Sequence, residues 1–88
     1  MRVIDLERQL KVLANRRRLS IVSMLRRRKE MGVGAIADVL RLSLTATSRH
    51  LSMLERAGFL EKEQRSLQVY YRIAESSPDT YKALSTLF

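Results

Sequence analysis

The sequence predicts a mainly α fold that carries one small β-hairpin, and three observations point to it. Apolar residues recur at three- and four-residue spacings through most of residues 3–57, the period of helices with one buried face. Beyond Gly58 the pattern changes to alternation, and VYYRI (Val69–Ile73) is rich in the β-branched and aromatic residues that favour pleated surfaces. Pro78 then restarts helical spacing from a favoured first-turn position. The expected inventory is about five helices and a two-stranded hairpin.

The first element is VIDLERQLKVLA, where Ile4, Leu6, Leu10 and Leu13 stand at near-helical spacings with acids early, predicting an amphipathic helix over 3–14. Asn15 punctuates it and is a suitable N-cap for RRRLSIVSMLRRRKE. With Leu19, Ile21, Val22, Met24 and Leu25, that second helix is too apolar all round for a surface helix and reads as the central one. Its cationic end, Arg26 to Lys29, matches the negative pole of the helix macrodipole, so these charges have a structural reading beside a role on a polyanion. Met31, Gly32, Val33 and Gly34 read as a flexible break.

IADVLRLSLTATSRHLSMLERAGFL, Ile36 to Leu60, then reads as two short helices around a tight turn with a glycine stop. Ile36, Ala37 and Leu40 give the first helix its apolar face, Leu42 plugs the turn, and Ser43 caps a second helix starting at Leu44 or Thr45. Thr47, Leu51 and Leu54 form the stripe that faces the core, and Gly58 ends the helix. This is a helix-turn-helix over 35–57. It leaves Thr45, Ser48, Arg49 and Ser52 outside, and small hydroxyls with one arginine suit a helix that enters a major groove. His50, the one histidine, is flanked by core leucine, which favours a packed residue over a ligand.

Phe59–Gln64 and Leu67–Ile73, flanking Arg65 and Ser66, are the candidate strands of a wing over 59–73. Lys62, Arg65 and Arg72 are its candidate phosphate partners. Tyr70 and Tyr71 point to opposite faces of a strand, so one is expected in the core. The last helix, 78–88, carries Tyr81, Leu84, Leu87 and Phe88 on roughly one side. That stripe either folds back on its own chain or, with Leu6 and Leu10 of the first helix, forms a homodimer interface. A dimer sets two recognition helices on successive major grooves about 34 Å apart.

Composition agrees. Eighty-eight residues predict one thin-cored domain. Lysine and arginine number 17 against 9 acids, a net charge of +8 that favours nucleic acid as partner over an inert basic surface or an anionic membrane. No apolar run approaches the roughly 20 residues of a membrane span and no signal-peptide series is present, so a cytoplasmic location is expected. With no cysteine there is no disulfide, thiolate metal site or thiol switch. No catalytic partner for His50, glycine-rich phosphate loop or paired carboxylates support an enzyme, and no cofactor is expected.

In this order and spacing, LANRRRLSIVSML, SRHLSMLERAGFL and YYRI resemble the winged helix-turn-helix of the ArsR/SmtB family of transcriptional repressors, over nearly the whole chain and most firmly from Leu10 to Ile73. The resemblance implies a homodimer on a palindromic operator, released by an effector the sequence does not identify. It sets Leu44, Thr45, Ser48 and Arg49 at DNA-facing positions, and His50 matches the family's histidine before the core leucine. Three departures stand out: Thr47 replaces the usual valine, Leu44 a polar residue, and Ser66–Leu67 the wing's glycine and arginine. Leu44 is suited to a thymine methyl, and Arg65 substitutes for the missing tip arginine. Family metal sensors use cysteine pairs, or carboxylates with histidines on the last helix; Glu75 and Asp79 have no such companions, so no metal is expected. The expected function is a sequence-specific regulator reading DNA through helix 44–57 and the wing. A winged-helix protein-interaction module and a nonspecific nucleoid-type DNA coater remain as alternatives.

Overall fold

The computed structural model describes residues 1–88. Its elements run α1 (Val3–Leu13), α2 (Arg16–Arg28), β1 (Met31–Gly32), α3 (Val33–Leu40), α4 (Leu44–Arg56), β2 (Leu60–Arg65), β3 (Gln68–Ile73) and α5 (Asp79–Ser85). The mainly helical winged helix-turn-helix architecture is the one expected, with one strand added. β1 pairs antiparallel with β3, Met31 opposite Tyr71 and Gly32 opposite Tyr70, giving the sheet order β1-β3-β2. The segment expected as a flexible break is therefore sheet edge followed directly by α3.

Local chemistry sets the helix boundaries. The Asn15 side-chain oxygen accepts from the Arg17 and Arg18 backbone N–H groups at 3.0 and 3.1 Å, satisfying two of the orphan donors at the start of α2. Ser43 Oγ accepts from the Ala46 N–H at 3.0 Å and starts α4. Between α3 and α4 the chain turns on Arg41, held left-handed at φ 56°, ψ 45°. There the Leu42 N–H donates back to the Ala37 carbonyl at 3.1 Å, and Leu42 is half-buried in the turn. Gly58, at φ 88°, adopts the backbone that favours glycine and redirects the chain from α4 into the wing.

Twelve residues form one core cluster, drawn from every element except α5. Ile21, Val22, Ile36, Leu51, Leu54 and Phe59 lose all contact with solvent, and burying a side chain of this size stabilises the fold by about 1.5–3 kcal/mol. Tyr71 is the core tyrosine of the pair, whereas Tyr70 is half-buried and donates its hydroxyl to Gln68 at 2.6 Å. The Phe59 carbonyl accepts both the Ala74 N–H at 2.9 Å and the Ser77 hydroxyl at 3.3 Å, so the two ends of the wing meet on one backbone group.

Several boundaries shift by a residue or two from expectation, and three of the shifts have a local cause. The hairpin turn lies at Ser66–Leu67, one residue beyond the expected Arg65–Ser66, because Arg65 pairs with Gln68 as the last rung of the ladder. Pro78 is the N-cap of α5, extended at ψ 155°, and not its first-turn residue. α5 ends at Ser85, short of the expected residue 88, where Ser85 and Thr86 turn their hydroxyls onto the Lys82 and Ala83 carbonyls.

Thr47 faces the core as expected and is fully buried, but its hydroxyl has no hydrogen-bond partner. A buried hydroxyl without a partner costs its desolvation and returns nothing. Thr47→Val, which keeps the shape and removes the oxygen, is expected to stabilise the chain by about 1 kcal/mol in urea or thermal unfolding.

Candidate nucleic-acid interface

The buried stripe of α4 fixes which side of it faces outward. With Thr47, Leu51 and Leu54 against the core, Leu44, Thr45, Ser48, Arg49, Ser52, Met53 and Arg56 line one shallow surface groove. The five α4 residues expected at the interface thus share one face. Met53 and Arg56 belong to the same face and were missed; Arg56 lies seven residues beyond Arg49, two turns along the same side. Leu44 is 61% exposed at the start of the helix, where a leucine has no core to fill. Leu44 and Ser48 also border a second groove reaching Gly32–Ala35 and Leu67–Tyr70, so the surface continues from α4 to the wing.

Arg49 and Arg56 form no ion pair, and neither do Arg16, Arg17, Arg26, Arg27, Arg28, Lys29 or Arg41. The wing is different. Lys62 lies 3.6 Å from Glu55, Arg65 binds Glu30 and Glu63, and Arg72 binds Glu61, Glu63 and Glu30. Hydrogen bonds from Arg65 hold the Glu30 and Glu63 carboxyls below the usual carboxylate range, so both are ionised at neutral pH. The three cations expected to be open to phosphate each have a carboxylate partner, and an apolar Leu67, 94% exposed, occupies the tip.

Beneath the α4 face, Arg18 joins three helices. Its Nε donates to the Val12 carbonyl of α1 at 2.5 Å, and its Nη1 lies 3.3 Å from His50 Nδ1 and 3.4 Å from Met53 Sδ on α4. A guanidinium only donates, so Nδ1 is the acceptor and the ring proton sits on Nε2. Burial, then the charges of Arg18 and Arg17, lower the histidine pKa from its ordinary value. His50 is a packed residue, and no three His, Cys, Asp or Glu side chains come together as a metal-ligand set.

The residues expected at a subunit contact divide. Leu6, Leu10, Leu84 and Leu87 line one apolar groove between α1 and α5. Tyr81 and Leu84 also pack on their own core, while Phe88 lies apart, beside Leu19, Met24, Val39 and Leu40. No helix is long and apolar enough to cross a membrane.

Comparison with known proteins places this geometry. A family of helix-turn-helix domains matches residues 13–63. The transcriptional activator HlyU of Vibrio cholerae is 37% identical over 67 residues, 76% of this chain and 61% of that protein. The transcriptional repressor PagR of Bacillus anthracis is 34% identical over 64 residues, covering 73% and 64% respectively. The chain thus spans less than two thirds of these relatives' length. Among solved structures, the homodimeric winged helix-turn-helix DNA-binding domain of a Mycobacterium bovis protein, a possible ArsR-family regulator, superposes with a TM-score of 0.82 at 32% identity, over 97% of this chain and 79% of that one.

The lowered His50 pKa makes the folded state the poorer proton acceptor, so its stability contribution is complete above the ordinary value of 6.5 and is lost as pH falls through the folded value. Urea unfolding at about pH 7.5 and about pH 5.5 is expected to show a drop in the wild type that is smaller in His50→Gln, whose amide oxygen still accepts from Arg18. Equal drops in both proteins place the proton-sensitive group elsewhere.

Proposed function

The chain belongs to the ArsR-type winged helix-turn-helix family of transcriptional regulators, and on that premise we propose that it binds double-stranded DNA sequence-specifically, as a homodimeric repressor on a palindromic operator. One observation carries this reading: the outer face of α4 presents small hydroxyls and two arginines without ion pairs, on a chain of net charge +8. In the major groove, Arg49 is suited to donate two hydrogen bonds to a guanine edge, and Leu44 to touch a thymine methyl. Thr45, Ser48 and Ser52 are short enough to let the helix approach, with Arg56 on the flanking phosphate. The wing then lies beside the adjacent backbone, where Lys62, Arg65 and Arg72 reach phosphate only by leaving their carboxylate partners.

The dimer is proposed through α1 and α5. Val3, Leu6, Leu10 and Leu87 remain exposed there, beside Leu84 in the shared groove, and a domain with this small a core gains from covering them. The homodimeric state of the Mycobacterium bovis domain supports a dimer. Repression is the finer part of the proposal, since PagR is a transcriptional repressor and HlyU a transcriptional activator. A promoter-fusion reporter in cells with and without the chain decides it. An effector that relieves binding completes the reading; its chemistry is unassigned.

Binding to the duplex upstream of the chain's own gene and to a scrambled duplex, measured over a salt series, separates the alternatives. Preference for the first supports the regulator, equal affinity leaves a nonspecific coater, and no binding to either leaves a protein-interaction module. Arg49→Ala is expected to weaken binding to the preferred duplex about tenfold or more, with thermal unfolding unchanged because the side chain is exposed and unpaired. Loss of folding refutes that placement. Leu10→Glu, at a site 50% exposed in the monomer, is expected to shift sedimentation toward monomer while circular dichroism stays native. An unchanged mass moves the interface off α1.

A further inference from the structure

We propose that a carboxylate clamp centred on Glu30 keeps the wing from gripping phosphate, so that the wing limits affinity for DNA instead of supplying it. The inference rests on the DNA-binding reading above. Glu30 is not part of the hairpin; it stands just before β1, 35 residues from Arg65, yet takes the arginine's fork with Nη1–Oε1 and Nη2–Oε2 both at 2.7 Å. Such a two-point contact is the one a guanidinium would otherwise make to a phosphate. The remaining edge of Arg65 is also taken, by Glu63 at 3.1 and 3.2 Å. Arg72 is held in the same way by Glu61 at 2.8 Å and Glu63 at 3.1 Å, with Glu30 at 3.5 Å.

With Lys62 on Glu55, three wing cations face four carboxylates, and the local charge is −1 on a molecule of +8. Stability does not account for this arrangement. The arginines and glutamates involved are 30–46% exposed, where ion pairs contribute little to folding. On a DNA surface the same pairs count heavily, because a phosphate must displace Glu30 before it reaches Arg65, and its approach meets a net negative cluster. Removing the charge of Glu30 frees two guanidinium nitrogens and balances the cluster at three against three. Tyr70, whose ring lies 4.7 Å beneath the Arg65 guanidinium, keeps the freed side chain on the wing.

The test uses the full chain, the duplex upstream of its own gene and a scrambled duplex of the same length, read by fluorescence anisotropy over a salt series. Glu30→Gln is expected to bind both duplexes about tenfold more tightly, with a log K against log salt slope steeper by about one. Arg65→Gln alone is expected to change affinity less than about twofold, and in the Glu30→Gln background to abolish the gain. Wild-type binding with an unchanged or weaker Glu30→Gln overturns the clamp and leaves the DNA-binding reading standing. A gain that survives Arg65→Gln also overturns it, since the freed arginine is then not the cause. A wild type that binds neither duplex at low salt overturns the DNA-binding reading, and the clamp with it.

Discussion

Everything in this chain depends on one helix being buried along one side and bare along the other. The inner stripe of α4, Thr47, Leu51 and Leu54, is sealed from solvent, and α1, α2, α3 and β2 all pack against that helix. Because the stripe repeats at four and three residues, the outward direction of Thr45, Ser48, Arg49, Ser52 and Arg56 is settled by the same contacts that hold the domain together. Rotation of α4 about its axis would expose leucine and bury arginine together, and both costs oppose it.

Charge is distributed with equal economy. The cations on α2 other than Arg18, on the α3–α4 turn and on the outer face of α4 form no ion pair, whereas those of the wing are matched by glutamates. A net charge averaged over the chain hides this division. The unpaired positive charge therefore belongs to the helical body, and the hairpin itself is nearly uncharged. Arg18 marks the boundary: its guanidinium is spent inside the molecule, on Val12, His50 and Met53, and ties the orientation of α4 to α1 and α2.

What was legible in the sequence was whatever is local. Asn15 and Ser43 announce their helices because a cap acts within three residues, and Gly58 announces a stop because few other residues accept its backbone. The outer face of α4 followed from its period alone, and Arg56 was available from the same period two turns beyond Arg49. β1 was not legible: two residues carry no periodicity, and Met31 and Gly32 become a strand only when β3, some forty residues later, lies beside them. The turn between α3 and α4 was legible from Leu42 and Ser43, but the left-handed residue that makes it, Arg41, was not, because no glycine or asparagine marks it. Lys62, Arg65 and Arg72 read as free cations because the alternating acids of EKEQR look solvated in sequence. The register that sets Glu61 opposite Arg72 shows what they face, and Glu30 reaches them only through the fold.

The convergence of both wing ends on the Phe59 carbonyl gives the hairpin a character of its own. A hairpin whose two feet are stitched to one buried residue transmits little of its tip chemistry to the body below. Only the tip, Ser66 and Leu67, is free of the body in this sense, since Tyr71 is buried in the core and β3 pairs with β1. Changes at that tip leave the packing of the helical body untouched, whereas changes at Tyr71 reach the core.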